Sequence, residues 1–371
     1  MSRPSTTSAT PEQPGVSECR RIVDFADSGR PFAAALVLRA DGSTPQKAGA
    51  RAIIDASGDI WGTLGGGGVE AEAQRRALEA CRSGRPSVFD FAMDNESAGD
   101  AGAICGGTMR ILIDPTAADD RGAYEAAAGA LERRERGVLL TRLNATPHTE
   151  VSVEWLAEDG APGNLDLPTL NAIRSCLERE APRLCLTESD QSKASTEVFV
   201  EPVIPKPLLL VVGGGHIGQA LAHQAAPIGF EVVIIDDRRE FTEPALFPPG
   251  VATRCGNIAS EVARFSITRD CYVVLVTRGH HFDAAALEAC IHAPAAYIGM
   301  IGSKRKVALV RRRFIESGLA TAEEFDRIFA PIGLDIGAVT VPEIATSIAA
   351  ELIAVRRKGR ACVSPGRRES A

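Results

Sequence analysis

A glycine-rich turn in the second half of the sequence has the spacing that binds phosphate in nucleotide-binding proteins. Gly213, Gly215 and Gly218 fit the pattern G-x-G-x-x-G, and they follow an apolar run typical of a buried parallel strand. The first glycine permits a tight turn, the second lets a phosphate approach the backbone, and the third lets the next helix pack closely on the strand. The helix predicted from His216 offers free N–H groups and its positive dipole end to an anion. The pattern therefore predicts a phosphate-binding site.

An acidic residue follows this turn at the distance expected for a ribose ligand. A second apolar run, Val232–Ile235, ends at Asp236. The spacing from Gly213 is close to the roughly 20 residues that separate such a turn from the ribose-binding acid. Turn, helix and acid together predict a βαβ unit. The alternative is that the glycines serve packing alone, because a fold does not fix a function.

A second glycine-rich loop lies in the first half of the chain. Its four consecutive glycines are Gly65, Gly66, Gly67 and Gly68. They lead into a helix predicted from Val69, and Glu70 falls in its first turn, where the helix dipole favours an acid. We expect this loop to be either a second phosphate or oxyanion site or a flexible connector.

A third glycine segment carries a thiol. Cys105 precedes Gly106 and Gly107, which lead into a predicted strand, Met109–Ile113. Glycines let a ligand come close to the backbone, and a nearby basic group would favour the thiolate that binds metals or attacks. The alternative is a buried structural cysteine.

Polar residues follow another predicted strand of the second half, Asp270–Thr277. Arg278 and His280 come directly after it, and ligands of doubly wound sheets bind at the carboxyl ends of the strands. We therefore expect both residues to contact a ligand. His281 and Asp283 lie at the same strand end, and Asp283 is either a further ligand contact or, as we favour, the cap of the following helix.

One further helix start carries cations. Ser303 and Lys304 follow the predicted strand Ala296–Ile301 and open a basic helix. The segment is either a third anion-binding helix start or a solvated basic face.

Composition limits the class of protein. The chain has 371 residues, 45% apolar and 24% charged, which is enough for two soluble domains. The net charge of −7 argues against nucleic acid as a partner. The nine cysteines show no C-x-x-C spacing, so neither a disulfide framework nor structural zinc is expected. No apolar segment approaches the roughly 18 residues of a membrane span, so we expect a cytoplasmic protein with no membrane partner.

The predicted fold class is α/β. A Rossmann-like doubly wound parallel sheet is expected over residues 208–358, and a separate N-terminal α/β domain over residues 16–200. Residues 1–15 are expected to be a disordered tail and residues 359–371 a frayed one. The proline-rich segment EPVIPKP between the domains is typical of a stiff linker.

Several ordered motifs together resemble the XdhC/CoxI family of molybdenum-enzyme maturation factors. In the first half they are GSTPQKAGARAII, GTLGGGGVE and ICGGTMRILIDP. In the second half they are VVGGGHIGQAL, VTRGHHFD, YIGMIGSKRK and PIGLDIGAVTVPEIATSIAAEL.

The resemblance implies a chaperone that binds the molybdenum cofactor, molybdopterin, and helps install its terminal sulfur ligand. The implied partners are the apo-enzyme of a xanthine-dehydrogenase-type molybdenum hydroxylase and a cysteine desulfurase. Cys105 is then the first candidate to contact molybdenum or the transferred sulfur, since molybdenum accepts thiolate. Many members of the family carry Cys where this chain has Gly68.

Two other functions stay open from the residues alone. One is an NAD(P)-dependent oxidoreductase, with Asp236 holding the ribose diol and His280 as acid or base. The other is a protein-binding scaffold with a vestigial Rossmann site. The resemblance favours a maturation factor without turnover of its own. A nucleotide at the Rossmann turn is a further expectation, and a homodimer is the default oligomer.

Overall fold

The computed structural model describes residues 14–93, 106–144, 149–160, 163, 165–188 and 195–359. The chain forms two compact units, of which one ends at Pro205 and the other begins at Lys206.

The N-terminal unit contains nine strands and four helices among its described residues. In chain order they are α1 (Pro14–Ser28), β1 (Phe32–Asp41), β2 (Arg51–Asp55), β3 (Ile60–Gly62), α2 (Gly67–Ser83), β4 (Ser87–Ala92), β5 (Thr108–Asp114), α3 (Arg121–Glu132), β6 (Gly137–Asn144), β7 (Glu150–Ala157), α4 (Leu167–Arg179), β8 (Arg183–Glu188) and β9 (Ser195–Val203).

The first sheet of this unit is antiparallel, in the order β3-β2-β1-β5-β4. Its central strand β1 is buried over seven successive residues, as its run of Ala, Leu and Val predicts. Helix α2 packs against one face with Val69, Ala73 and Ala77, which share one side of the helix. The small alanines allow the helix to lie close to the sheet.

The second sheet is also antiparallel, in the order β7-β6-β9-β8, and α4 covers one of its faces. Leu36 and Leu38 of β1 pack with Leu143 and Phe199 of the second sheet, so the two sheets share a core. Strand β8 was not predicted from the sequence, whereas the strand that the sequence predicts over Thr196–Val203 corresponds to β9. The first residues of the proline-rich segment EPVIPKP therefore belong to β9.

The C-terminal unit alternates strands and helices. In chain order it has β10 (Leu208–Val212), α5 (His216–Ala225), β11 (Glu231–Asp236), β12 (Ala252–Cys255), α6 (Ile258–Arg264), β13 (Cys271–Leu275), α7 (His280–Cys290), β14 (Tyr297–Met300), α8 (Lys304–Glu316), α9 (Ala322–Asp326) and α10 (Val341–Lys358).

The five strands of this unit form one parallel sheet in the order β12-β11-β10-β13-β14. Helices α6, α7 and α8 pack on one face, and α5 and α10 pack on the other. Because both faces are covered, β10, β13 and β14 consist of apolar residues, whereas the edge strand β12 (ATRC) is largely exposed. The predicted fold class, a Rossmann-like doubly wound sheet with a separate N-terminal α/β domain, is confirmed. The strand order reverses between β10 and β13, where such sheets bind ligands.

Candidate functional site

The three glycines of the Rossmann turn occupy different environments. A β-carbon on Gly213 would lie 2.5 Å from the carbonyl oxygen of Val276, and one on Gly218 would overlap the carbonyl oxygen of Gly213. Only glycine fits these two positions. A β-carbon on Gly215 would meet no heavy atom within 4 Å. The backbone at Gly215 therefore faces open space, where a phosphate can approach it.

Helix α5 begins directly after this opening. Gly215 is its N-cap residue and makes no side-chain capping bond, and His216 is the exposed first helical residue. The N–H groups of the first turn therefore point towards the open side of the turn. An anion bound there would be stabilised by the helix dipole and by a hydrogen bond from the neighbouring imidazole of His216.

Asp236, the predicted ribose ligand, is almost fully buried at 1% exposure. Its Oδ1 accepts hydrogen bonds from Arg238 N and Nε, at 3.0 and 2.9 Å. Its Oδ2 accepts from Gly214 N and Arg238 Nη2, at 2.9 and 3.1 Å. Burial alone would raise the pKa of Asp236, but the hydrogen bonds from Arg238 and Gly214 lower it below its usual value. The carboxylate is ionised and binds its own chain at four positions.

Arg238 is a site residue that sequence analysis missed. Its guanidinium also lies 3.7 Å from the centre of the Phe241 ring. Arg238 follows the predicted acid by two positions, and nothing in the sequence alone shows that its side chain turns back onto Asp236.

The strand end after β13 carries a second ion pair. Arg278 Nη2 donates to Asp237 Oδ2 at 2.8 Å, and its guanidinium lies 4.6 Å from the centre of the Phe282 ring. Arg278 is exposed enough to contact a ligand at the carboxyl edge of the sheet. His280 begins α7, so its backbone lies at this edge. The side chain of His280 is not among those described.

Asp283 does not cap α7, and that prediction was wrong. The helix starts three residues earlier, with Gly279 at the N-cap position. Asp283 is fully buried and accepts hydrogen bonds from Thr277 N and Oγ1 and from Lys306 Nζ, at 3.0, 2.6 and 2.8 Å. It fixes the loop after β13 to the basic segment that opens α8.

The start of α8 is only partly open to an anion. Ser303 caps the helix by accepting a hydrogen bond from Lys306 N at 3.3 Å, while Lys304 is exposed. Since Lys306 is engaged with Asp283, Lys304 and its neighbour Arg305 are the exposed cations of this turn.

In the N-terminal unit, the predicted glycine segments converge on one loop. A β-carbon on Gly65 would lie 2.5 Å from Pro45, and one on Gly42 would lie 3.1 Å from the carbonyl oxygen of Gly106. A β-carbon on Gly107 would overlap the carbonyl oxygen of Ser43. The loop of residues 42–45 thus lies between the four-glycine loop and the segment that follows Cys105.

Cys105 itself lies outside the described residues. Its neighbour Gly106 is exposed, and a β-carbon there would meet nothing within 4 Å. Gly66 and Gly67 are open in the same sense. The backbone at Gly66, Gly67 and Gly106 is thus accessible, and Gly106 directly follows Cys105 in the sequence.

Glu70 already supplies an anion to the four-glycine loop. Its carboxylate accepts hydrogen bonds from the Thr63 hydroxyl at 2.6 Å and from Leu64 N at 2.9 Å. The hydroxyl of Thr63 and the backbone N–H groups of Gly66, Leu64 and Gly65 hold the pKa of Glu70 below its usual value. Part of the predicted phosphate cradle is therefore occupied by this chain's own carboxylate. The helix also begins at Gly67 rather than Val69.

The fold and the glycine turn define the C-terminal unit as a Rossmann-type domain. The model of the XdhC Rossmann domain matches residues 209–352, and the model of the XdhC and CoxI family matches residues 25–92. The chain belongs to the XdhC and CoxI family.

Curated relatives align over most of the chain. The YqeB protein of Escherichia coli K12 is 27% identical over 88% of this chain, which spans 44% of the length of YqeB. A Bacillus subtilis protein described as a probable xanthine dehydrogenase subunit is 26% identical, covering 87% of this chain and 93% of the relative. The molybdenum cofactor insertion chaperone PaoD of Escherichia coli K12 is 24% identical, covering 93% and 91%.

A solved structure shares the fold. It is a crystal structure described as a xanthine dehydrogenase from Bacillus halodurans, with a TM-score of 0.69 and 22% identity over 95% of this chain and 98% of that one. No described helix is both long and apolar enough to cross a membrane. Among the described side chains, no group of three or more His, Cys, Asp or Glu residues is arranged to hold a metal ion.

Proposed function

We propose that this protein is a chaperone that binds the molybdenum cofactor and supports its insertion into a xanthine-dehydrogenase-type molybdenum hydroxylase. The observation that carries the proposal is family membership that extends over both units. The name of the relative PaoD, a molybdenum cofactor insertion chaperone, points to the same role. In this proposal the cofactor is cargo that is bound and released.

Two features of the chain fit such cargo. The open backbone at Gly215 and the uncapped start of α5 suit a phosphate, which the cofactor carries. The exposed glycine Gly106 leaves room for the molybdenum end of the cofactor next to Cys105 in the sequence. Gly213 and Gly218 shape the turn by close packing, so the proposed phosphate contacts are the backbone at Gly215 and at His216. Lys304 is a proposed anion contact at the separate start of α8. Cys105 is the proposed contact to molybdenum or to its sulfur ligand.

The finer proposals follow from the family. They are support for installing the terminal sulfur ligand, a cysteine desulfurase as the source of that sulfur, and assembly into a homodimer. Each needs its own measurement: sulfur content of the bound cofactor, co-purification with the desulfurase, and sedimentation of the purified chain.

The oxidoreductase alternative has less support from the geometry. A dehydrogenase of this type needs a free acid for the ribose diol, and a carboxylate has about four acceptor positions. All four positions on Asp236 receive hydrogen bonds from Arg238 and Gly214. NAD would have to displace the Arg238 guanidinium before Asp236 could bind its ribose diol.

The test is metal and pterin analysis of the protein purified from a host that makes the cofactor. We expect molybdenum and pterin in comparable amounts in the wild type and a severalfold loss in Cys105→Ala. Cys255→Ala is the control, since Cys255 is an exposed thiol in the other unit. Protein that never retains pterin, or that loses it equally in both variants, would contradict the proposed role of Cys105.

A further inference from the structure

A cavity of about 260 Å³ in the N-terminal unit is lined by three charged side chains. They are Glu18 of α1, Arg51 of β2 and Glu201 of β9. A second cavity of about 190 Å³ borders Glu18 and Arg51 from another side. These residues belong neither to the glycine segments nor to the Rossmann turn.

Arg51 is the centre of this cluster. Its residue is 5% exposed, and its Nη2 donates to Glu201 Oε2 at 2.6 Å. Its buried Nε has no hydrogen-bond partner among the described residues. A buried ion pair is unfavourable unless its remaining hydrogen-bonding positions are filled, and polar cavities usually hold water or a ligand. The hydrogen-bonding capacity of this charged cluster is therefore incompletely satisfied, and the cavity beside it is partly open to solvent.

The charges around the cavity favour a ligand that is rich in N–H donors. Two carboxylates, Glu18 and Glu201, face the single guanidinium of Arg51. Burial raises the pKa of Glu18 above its usual value. The positive charge of Arg51 partly opposes this rise, and the negative charge of Glu201 adds to it. A ligand that donates N–H groups to Glu18 and accepts one from Arg51 would satisfy both side chains.

The walls of the cavity favour a flat ring. Leu131, Leu139, Val203 and Ile204 supply apolar surface around the charged end. The volume lies below the roughly 300–1,000 Å³ of pockets that enclose drug-sized ligands. One bicyclic ring fits a space of this size, and the remainder of a larger molecule would extend outside it.

We propose that this cavity binds the 2-amino-4-oxopyrimidine edge that pterin and guanine share. Its amino group and ring N–H are adjacent donors for the Glu18 carboxylate, and its carbonyl is an acceptor for Arg51. The inference rests on the proposed function, because a molybdenum cofactor brings a pterin ring and its dinucleotide form brings a nucleobase.

The experiment titrates the purified full chain with 6-hydroxymethylpterin, followed by pterin fluorescence, and with guanosine monophosphate, followed by calorimetry. Adenosine monophosphate, which lacks this edge, is the ligand control. We expect pterin or guanine binding that Glu18→Gln weakens about tenfold or more, with no change in melting temperature. Glu132→Gln is the matched control, because Glu132 is an exposed acid that pairs with Arg20 of α1.

Each outcome decides one point. Tighter binding of pterin assigns the cavity to the pterin ring, and tighter binding of the guanine nucleotide assigns it to the nucleobase. Binding of neither, or binding that Glu18→Gln leaves unchanged, overturns the proposal. Molybdenum content of the wild type is measured separately, so retained molybdenum without ring binding rejects this cavity alone, whereas loss of molybdenum retention rejects the proposed function.

Discussion

The guanidinium of Arg238 binds both oxygens of Asp236, at 2.9 and 3.1 Å, on the ribose side of the Rossmann turn. In a dinucleotide-binding protein that carboxylate holds the ribose diol. In this chain it holds a neighbouring arginine and the backbone N–H of Gly214. The part of the turn where dinucleotide-binding proteins hold phosphate is thus open, while the part where they hold the sugar is closed by an internal ion pair.

Removing this arginine should therefore improve binding of NADH. In Arg238→Ala two acceptor positions on Asp236 become free, and two hydrogen bonds of about 1 kcal/mol each correspond to a gain of roughly thirtyfold in affinity. Fluorescence titration with NADH checks this, with Arg239→Ala as the control because Arg239 is the exposed neighbour. Tight binding by the wild type that Arg238→Ala weakens would instead show that Arg238 contacts the nucleotide.

Substitution of two glycines of the same turn should affect different properties: cofactor retention at Gly215 and stability at Gly218. Gly215 has φ −69°, which any residue adopts, and its surroundings are open, so Gly215→Val should fold normally and lose phosphate-dependent cofactor retention. Gly218→Ala should lower the melting temperature, because the new methyl group overlaps the carbonyl oxygen of Gly213. Thermal melts and molybdenum analysis of both variants separate the two effects. Normal cofactor retention in a folded Gly215→Val protein would exclude this turn as the phosphate site.

The Glu70 carboxylate should stabilise the N-terminal unit. Glu70→Ala removes charge-assisted hydrogen bonds to the Thr63 hydroxyl and Leu64 N, and we expect a loss of about 1–2 kcal/mol in the free energy of unfolding, since solvent screens part of the interaction. Because the pKa of Glu70 is lowered in the folded state, this stabilisation is present above its unfolded pKa and disappears as the pH falls through the folded value. Urea unfolding at pH 7 and at pH 3 measures the loss of stability.

The control for Glu70 is Glu79→Ala, on the exposed surface of α2, which should change the free energy of unfolding little. An equal loss in both variants would contradict the role of Glu70.

Asp114 should make the protein less stable as the pH rises. Burial raises its pKa to about 6, neighbouring Asp120 and Asp119 add to this, and hydrogen bonds from Thr116 oppose it. An aspartate in an unfolded chain has a pKa near 3.9. The folded state therefore has its full stability, as far as Asp114 is concerned, below that pH, and it loses this stability as the pH rises through about 6.

Asp114→Asn keeps an acceptor for Thr116 and removes the charge. Relative to the wild type, its free energy of unfolding should increase by about 1.5 kcal/mol between pH 5 and pH 8. Urea unfolding at the two pH values measures this difference. The exposed Asp59→Asn variant is the control, and a difference that stays constant with pH would contradict the buried-carboxyl explanation.

The C-terminal fold could be predicted from sequence because its signals are local. Apolar runs, the glycine turn and the helix starts each fall within about 30 residues, the length of a βαβ unit. The N-terminal unit is less predictable because its strands pair antiparallel over long distances. Strand β8 (RLCLTE) lacks a continuous apolar run, and it is fixed by its pairing with β9.

The polar contacts of the sites were not predictable for the same reason. Arg51 and Glu201 are 150 residues apart, and their ion pair depends on how two sheets pack. Asp283 has the sequence context of a cap, but α7 starts earlier and carries it into the interior beside Lys306. Residue types indicated the candidate positions, and tertiary packing decided which of them are free to bind a ligand.

Helix α10 supplies Ile348 and Leu352 to the face of the parallel sheet that also contains Val211 and Ile234. During synthesis the ribosome makes those strands more than 100 residues before it makes this helix. Until α10 emerges, α5 alone covers this face, and the apolar surface left exposed favours aggregation or binding by general chaperones. Nascent chains stalled before residue 341 should therefore be sensitive to protease and prone to aggregation, although all five strands of the parallel sheet have already been translated.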